Sequence, residues 1–167
     1  MHIANLAALA ATAVAMFGAT TGVASAANYD IDTTSVHTIT ASSGKVLDVE
    51  GAALGNGARI IQWWNNNGQN QIWRFVKLSP GDYQIRNQNS GKCITSVGVG
   101  RGVVQYTCDA SAVNQHWFPT DEGGGFYRFR SEAAHGTLDL PGGTLFPGAQ
   151  LITYGDNHSA NQLFRVW

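Results

Sequence analysis

The sequence contains Asn70-Gln71-Ile72-Trp73, Asn114-Gln115-His116-Trp117 and Asn161-Gln162-Leu163-Phe164, three copies of an Asn-Gln pair followed one residue later by a large aromatic residue. The glutamines lie 44 residues apart (71 to 115) and then 47 (115 to 162). These separations are far longer than the period of a helix or a strand, so each copy marks one supersecondary unit. The sequence therefore predicts a threefold repeat, and any function should be sought once in each repeat.

The composition indicates one compact domain. The chain has 167 residues, of which 44% are hydrophobic and 13% are charged, and this balance suits a packed core. Ten basic and eleven acidic side chains give a formal net charge of -1, with no run of either sign. This charge pattern argues against nucleic acid or an anionic membrane surface as a partner.

The first 26 residues have the features of a signal peptide. They contain no Lys, Arg, Asp or Glu, pass through the apolar residues 6–17 and end in Ala24-Ser25-Ala26, a small-x-small cleavage signature. His2 stands where a basic residue is usual. The apolar run is shorter than the roughly 20 residues that span a bilayer, which disfavours membrane insertion. We therefore predict a signal peptide over 1–26, secretion to the extracellular space, a short N-terminal segment over 27–36 and a domain over 37–167.

The two cysteines fit an exported chain. Cys93 and Cys108 lie 15 residues apart within the second repeat. A cysteine pair in an exported protein predicts one disulfide, which contributes roughly 3 kcal/mol for a loop of this size in the chain-entropy model. His116 is the only further candidate ligand near them in sequence, too few for a metal site, so we expect neither a metal nor another cofactor.

The predicted secondary structure is all β. Residues 58–64, 102–108 and 149–154 are rich in Val, Ile, Tyr and Trp and are bounded by Gly and Asn, a pattern typical of strands between tight turns. The 20 glycines supply the positive-φ positions that frequent turns require. At roughly four strands per unit of about 44 residues, the sequence predicts about twelve strands in a closed threefold arrangement. The three repeats are expected to span approximately 37–80, 81–122 and 123–167.

Each repeat contains a turn, a variable loop, a strand and the closing Asn-Gln signature. The turns and strands read SGKVLDV (43–49) and NGARIIQWW (56–64), SGKCITS (90–96) and GRGVVQYTC (100–108), and HGTLDLP (135–141) and PGAQLITY (147–154). The sequence resembles the ricin B-chain-type lectin family, β-trefoil domains that also occur as family 13 carbohydrate-binding modules of bacterial secreted glycosidases. The resemblance covers essentially the whole mature chain and implies a β-trefoil fold.

The resemblance also implies which residues bind a ligand. In that family a sugar lies in a shallow pocket of each repeat, bound by an Asp after the first turn, an aromatic platform and the Asn of the Asn-Gln pair, while the Gln orients the Asp. The implied sites are Asp48, Trp63, Asn70 and Gln71 in the first repeat, and Asp139, Tyr154, Asn161 and Gln162 in the third. In both repeats the Asp precedes the aromatic residue by 15 positions, and the aromatic residue precedes the Asn by 7.

The second repeat departs from this pattern. Thr95 stands at the Asp position, and the separations become 11 to Tyr106 and then 8 to Asn114, which is followed by Gln115. An ionised Asp accepts two charged hydrogen bonds of roughly 1.5–3 kcal/mol each, whereas Thr offers one neutral hydroxyl. We therefore expect at most a weak site here.

These residue types suit a pyranose ring. The sugar presents an apolar C–H face to a flat aromatic side chain and a rim of hydroxyls to fixed polar groups. Asn offers both a donor and an acceptor, and Asp offers acceptors only. Trp64 adjoins Trp63, and because adjacent strand residues face opposite ways, one of this pair should point inward. The resemblance favours Trp63 as the platform.

The closing aromatic residues have a different expected role. Trp73, Trp117 and Phe164 should lie in the core, because apolar residues follow each of them closely. The three signature glutamines should mainly satisfy buried backbone groups.

The sequence thus predicts a secreted lectin that binds galactoside- or pentose-type glycans. The alternative is a β-trefoil that binds protein, such as a protease inhibitor or the binding subunit of a toxin or haemagglutinin assembly, and a separately encoded enzyme or toxin subunit is a further candidate partner. Enzyme activity is not expected, because Asp48 and Asp139 belong to different repeats and Asp121-Glu122 should lie in a Gly-rich linker.

Overall fold

The computed structural model describes residues 30–167, and the predicted signal peptide lies outside this range together with the start of the N-terminal segment. The described residues form short strands and single 3-10 turns. No helix among them has the length and apolar character needed to cross a membrane. The predicted all-β fold is confirmed.

Thirteen strands follow one another along residues 30–167. The first repeat supplies β1 (Ile39–Ala41), β2 (Val46–Val49), β3 (Ile60–Trp63) and β4 (Trp73–Ser79); the second supplies β5 (Asp82–Asn87), β6 (Cys93–Thr95), β7 (Arg101–Gly102), β8 (Val104–Tyr106) and β9 (Trp117–Gly123); the third supplies β10 (Phe126–Ser131), β11 (Thr137–Asp139), β12 (Ile152–Tyr154) and β13 (Phe164–Val166). Four strands per repeat give the expected twelve. The thirteenth is the two-residue β7 in the variable loop of the second repeat.

Six of these strands form a closed barrel in the order β1-β13-β10-β9-β5-β4, with antiparallel neighbours. The barrel closes where His37 and Trp73 exchange backbone hydrogen bonds of 2.7 and 2.8 Å. Closure leaves the barrel without a free edge. Asp121-Glu122 lies within β9, so the expectation of a linker there was wrong: the chain continues as a strand to Gly123 before it turns into β10.

The hairpins β2–β3, β6–β8 and β11–β12 form a cap over one end of the barrel. Three buried residues meet at its centre. Ile60 N donates to Val103 O at 3.0 Å, Val103 N donates to Leu151 O at 2.7 Å, and Leu151 N donates to Ile60 O at 2.9 Å. This ring of hydrogen bonds marks the pseudo-threefold axis and fixes the three hairpins relative to one another.

The core lies between barrel and cap. Trp73, Trp117 and Phe164 are all 0% exposed, which confirms their predicted core positions. The Trp73 and Trp117 indole N–H groups donate to the carbonyls of Leu47 and Ile94, both at 3.1 Å, so neither buried ring leaves an unpaired donor.

The predicted disulfide is confirmed. Cys93 in β6 is bonded to Cys108, which follows β8. The bond therefore connects the strand that carries Thr95 with the segment leading to Asn114. It constrains only the second repeat.

Candidate functional site

Asp48 and Asp139 occupy equivalent positions in two cap hairpins. Asp48 in β2 pairs with Ile61, and Asp139 at the end of β11 pairs with Ile152. Both residues are almost completely buried, at 3% and 2% exposure. A buried carboxylate needs fixed hydrogen-bond donors, and the Asn-Gln pair supplies them.

In the first repeat, Gln71 connects the carboxylate to the loop above it. Its Nε2 donates to Asp48 Oδ2 at 2.7 Å and to Trp64 O at 2.9 Å, and its Oε1 accepts from Asn66 N at 2.9 Å. The side chain therefore fixes the Asp48 carboxylate and the loop before η2 (Gln69–Gln71) at the same time.

Gln162 makes the same set of contacts in the third repeat. Its Nε2 donates to Asp139 Oδ2 and to Gly155 O, both at 2.9 Å, and its Oε1 accepts from Asn157 N at 3.0 Å. In both repeats the hydrogen bonds to the Asp use Oδ2, which leaves Oδ1 to accept from a ligand.

The two asparagines differ in what they can still offer. Asn161 Nδ2 donates to Asp139 Oδ2 and to Leu140 O, both at 3.0 Å. Both of its N–H groups are thus used within the protein, so toward a ligand it acts as an acceptor only and not as the donor and acceptor that sequence reasoning assigned. Asn70 Nδ2 donates to Val49 O at 3.1 Å.

The first pocket is a shallow cavity of about 410 Å³ that contains Asp48, Trp63 and Asn70. One wall is the 3-10 turn η1 (Glu50–Ala52), in which Gly51 adopts a positive φ of 62°. Gly148 from the third repeat completes the lining beside the Trp63 ring. The pocket thus brings together three of the four predicted residues, with Gln71 behind the carboxylate.

The third pocket is larger, at about 690 Å³, and contains Asp139, Tyr154 and Asn161. Its wall is the equivalent turn η4 (Pro141–Gly143), and Ser42 and Ser43 of the first repeat line the far side. Gln162 again lies behind the carboxylate.

The two aromatic platforms are partly open to solvent, with Trp63 39% exposed and Tyr154 49% exposed. The prediction that Trp63 or Trp64 points inward was wrong, because Trp64 is 59% exposed as well. Strand β3 ends at Trp63, so the alternation of strand side chains does not extend to Trp64. The Lys45 ammonium lies 4.2 Å from the centre of a Trp64 ring, which holds that ring against the surface.

Burial raises the pKa of the Asp48 and Asp139 carboxyls above the usual value of about 3.8. The hydrogen bond from Gln71 opposes the rise at Asp48, and those from Gln162 and Asn161 oppose it at Asp139. The charge of Glu50 adds to the rise at Asp48. Each carboxylate is therefore incompletely hydrated, and a hydrogen bond donated by a ligand would replace part of the lost hydration.

The second repeat also forms a pocket, of about 390 Å³, which contains Thr95, Tyr106, Asn114 and Gln115. Thr95 Oγ1 donates to Cys93 O at 3.0 Å, so its hydroxyl hydrogen is already used. Val97 lines the pocket beyond Thr95. The pocket keeps an aromatic platform but has no carboxylate at the Asp position.

Gln115 keeps its structural contacts with a shift of one residue. Its Nε2 donates to Thr107 O and its Oε1 accepts from Asp109 N, both at 2.9 Å. The partners lie eight and six residues before it, whereas those of Gln71 lie seven and five before. This shift matches the longer separation between Tyr106 and Asn114.

Sequence reasoning missed the pocket walls contributed by η1, η4 and the neighbouring repeat. The short segments Glu50–Ala52 and Pro141–Gly143 share only a central glycine, too weak a signal to reveal a shared turn. Sequence reasoning also missed that Asp82 and Glu132 lie beside His116.

A family model described as ricin-type β-trefoil lectin domain-like matches residues 25–98 and 69–154. The chain belongs to this family. Membership confirms the family resemblance found in the sequence. No curated protein sequence matches the chain at a significant level.

Solved structures show the same fold. A designed threefold-symmetric protein, ThreeFoil, is 34% identical with a TM-score of 0.75, and the match covers 78% of this chain and 96% of that one. An exo-β-1,3-galactanase from Clostridium thermocellum is 30% identical with a TM-score of 0.75, covering 82% of this chain and 31% of the enzyme. A ricin B-like lectin from Macrolepiota procera, in complex with lactose, is 21% identical with a TM-score of 0.68, covering 82% and 97%.

Proposed function

We propose that this chain is a secreted, non-enzymatic lectin domain that binds galactoside- or pentose-type glycans through its first and third pockets. The observation that carries the proposal is the recurrence of one set of four side chains. In both pockets a buried Asp is held by a Gln, flanked by an Asn and faced by a half-exposed aromatic ring. A structural role alone would not require the same acceptors to face an open cavity twice.

The chemistry of each pocket fits a sugar ring. Trp63 or Tyr154 can cover the apolar C–H face, and the free Asp oxygen can accept from a hydroxyl. In the third pocket the Asn161 oxygen adds a second acceptor, so this site favours a sugar with two adjacent hydroxyls that donate. A shallow pocket of this kind should give millimolar to micromolar affinity, about 4 to 8 kcal/mol.

Two further observations support parts of the proposal. The similar galactanase acts on a galactose polymer, which makes galactosides the first ligands to test. The disulfide between Cys93 and Cys108 suits an oxidising compartment, in agreement with the predicted signal peptide and secretion.

Calorimetry on the purified protein tests the proposal. Galactosides, β-1,3-galactan, arabinoxylan, xylan and mannan should be titrated into the wild type and into Asp48→Asn, Asp139→Asn and the double variant. We expect two sites in the wild type, one in each single variant and none in the double variant. Each substitution keeps the shape of the side chain and removes its charge. A loss of binding would therefore show that the sugar needs the carboxylate as a hydrogen-bond acceptor.

The matched control is Asp121→Asn, in the exposed second half of barrel strand β9, which lines neither pocket. It should bind like the wild type. Binding that survives in the double variant would disprove the site assignment, and the absence of binding to every glycan would disprove the lectin function. A stoichiometry of three would show that the Thr95 pocket binds as well.

One observation favours the alternative, a protein-binding β-trefoil. Leu145 and Phe146 are 69% and 78% exposed on one third-repeat loop, and Gln62 Nε2 fixes that loop by donating to Thr144 O at 2.8 Å and Phe146 O at 2.7 Å. A rigid loop with exposed apolar tips is what a protease inhibitor would present. Inhibition of a protease panel that disappears in Phe146→Ser while glycan binding persists would support this second function.

A further inference from the structure

Three titratable side chains converge away from the proposed sugar pockets. Asp82 begins β5, His116 lies between η3 (Val113–Gln115) and β9, and Glu132 directly follows β10. His116 Nδ1 is 2.9 Å from Asp82 Oδ2 and 3.1 Å from Glu132 Oε2. The group spans the junction of the second and third repeats.

The other ring nitrogen decides how His116 faces the carboxylates. Nε2 lies 3.1 Å from Ala110 O, a carbonyl that can only accept, so Nε2 carries the hydrogen. In a neutral ring Nδ1 then turns a lone pair toward two negative carboxylates. These distances require a proton or a metal ion between Nδ1 and the carboxylate oxygens.

The burial of Asp82 favours a metal ion over a proton. Its side chain is only 8% exposed, and its Oδ1 is buried without a hydrogen-bond partner among residues 30–167. A proton between His116 Nδ1 and Asp82 Oδ2 would leave Oδ1 unsatisfied. A cation in the same place can draw on both carboxylate oxygens and offset the loss of solvation.

The pseudo-threefold symmetry shows that the fold does not need these charges. Tyr83 pairs with Trp117 as His37 pairs with Trp73 and as Tyr127 pairs with Phe164, which fixes the equivalent positions. Asp82, His116 and Glu132 correspond to Val36, Ile72 and Gln88 in one direction and to Phe126, Leu163 and Ser42 in the other. Only one of the three equivalent places therefore combines an imidazole with two carboxylates.

We propose that Asp82, His116 and Glu132 bind one divalent transition-metal cation, with Zn²⁺ the best match. One imidazole nitrogen and two carboxylate groups, of which Asp82 can use both oxygens, form a ligand set that Zn²⁺ accepts. The Nε2 contact with Ala110 O is the outer hydrogen bond that usually orients a ligating histidine. The N–O separations of 2.9 and 3.1 Å need little adjustment to reach the spacing of about 3.3 Å between ligands of a tetrahedral zinc ion. Because Glu132 belongs to the third repeat, the ion would connect two repeats.

Titration of the chelator-treated, dialysed protein with ZnCl₂ near neutral pH tests this site. Calorimetry should show one Zn²⁺ per chain, and the thermal midpoint should rise with Zn²⁺ concentration because the ion binds the folded state. CaCl₂ should produce neither effect at equal concentration, because Ca²⁺ prefers a shell of oxygen ligands.

The symmetry supplies variants that should still fold. His116→Leu and Glu132→Gln introduce the side chains found at the equivalent positions 163 and 88. Each should weaken Zn²⁺ binding by about tenfold or more. His158→Ala removes an exposed histidine that lies 3.5 Å from Asp156 and should leave the Zn²⁺ affinity unchanged.

Two outcomes would overturn the metal site. Absence of Zn²⁺ binding by the folded wild type would mean that a shared proton, and not a metal ion, connects His116 with the carboxylates. Equal Zn²⁺ affinity in the wild type and in His116→Leu would place the ion elsewhere.

Discussion

At the residue scale, the raised pKa values of Asp48 and Asp139 predict how sugar binding depends on pH. The ionised carboxylate is the acceptor, so affinity should be constant above the pKa of the free protein and should decline as the pH falls through it. Because burial raises both pKa values, the decline should begin above the range of an ordinary Asp, whose pKa is about 3.8. Calorimetric titrations at a series of pH values between neutral and acidic provide the measurement.

The free energy of unfolding must be measured alongside sugar affinity. Protonation of Asp48 and Asp139 should weaken sugar binding but stabilise the folded state. A carboxyl with a raised pKa in the folded state contributes stability that is present below its unfolded pKa and is lost as the pH rises through the folded pKa. Acidification across this window should therefore weaken sugar binding without unfolding caused by Asp48 or Asp139. Affinity that stayed level down to the ordinary Asp range would contradict the role of the carboxylates.

A second residue-scale prediction concerns His135, an exposed residue with a φ of 52°. Gly44 and Gly91 occupy the equivalent turn position in the other repeats, with φ of 79° and 67°. A left-handed conformation costs a non-glycine residue about 1–2 kcal/mol, a strain that glycine avoids. Glycine also makes the unfolded chain more flexible, and this entropy cancels part of the gain in the free energy of unfolding. We expect His135→Gly to raise the free energy of unfolding by about 0.5–1 kcal/mol in urea titrations.

Gly44→Ala is the converse control. A β-carbon at Gly44 would have no atom within 4 Å, so any loss of stability reports the backbone conformation alone. We expect it to lower the free energy of unfolding by about 1 kcal/mol. If His135→Gly proved destabilising, the His135 side chain would have a stabilising contact that outweighs the backbone strain.

At the scale of elements, hairpin β11–β12 sets the separation of Asp139 and Tyr154, and Gly136 is its tightest point. A β-carbon there would lie 2.7 Å from Tyr154 O and 3.0 Å from Thr153 Cγ2. Gly136→Ala should push the platform strand away, lower the free energy of unfolding by about 1–3 kcal/mol and weaken the third pocket only. Calorimetry with a binding glycan should then report the first pocket with unchanged affinity.

Lys92→Ala is the matched control for this prediction. Lys92 occupies the equivalent position in the second repeat, where its carbonyl oxygen accepts from Asn87 N at 2.8 Å to close the corresponding turn and a β-carbon is already accommodated. This variant should keep both sugar sites. Loss of both sites in Gly136→Ala would instead indicate that the whole cap had been disturbed.

The elements also show what could be predicted from sequence and what could not. Equal separations of 15 and 7 residues predicted that Asp48 and Asp139 would meet the same partners, because equal chain lengths between equivalent strands produce equivalent geometry. The orientation of Trp64 was not predictable, because it depends on the residue at which β3 ends. The grouping of Asp82 with His116 and Glu132 depends on strand register around the barrel, which leaves no periodic pattern in the sequence.

At the scale of the whole molecule, the cap makes the two proposed sugar sites one rigid unit. The hydrogen-bond ring of Ile60, Val103 and Leu151 connects the three hairpins. In addition, a neighbouring repeat contributes part of the lining of each pocket. Gly148 of the third repeat lines the first pocket, while Ser42 and Ser43 of the first repeat line the third. The relative position of the pockets is therefore set by the fold, with no flexible linker between them.

Because the two sites are rigidly placed, we expect a much higher apparent affinity for surface-bound glycans than for monomeric sugars. After one pocket binds a densely displayed glycan, the second meets a high effective concentration of ligand, and such coupling can raise apparent affinity by about 10²–10⁴. Either Asp48→Asn or Asp139→Asn should therefore weaken binding to an immobilised polysaccharide by at least about tenfold, while leaving the affinity of the remaining pocket for a free monosaccharide unchanged. Surface plasmon resonance on the polymer, paired with calorimetry on the monosaccharide, measures both quantities on the same proteins. A single variant that lost only half of its polymer binding would mean that the two pockets act independently, because their fixed orientation prevents them from reaching the same surface together.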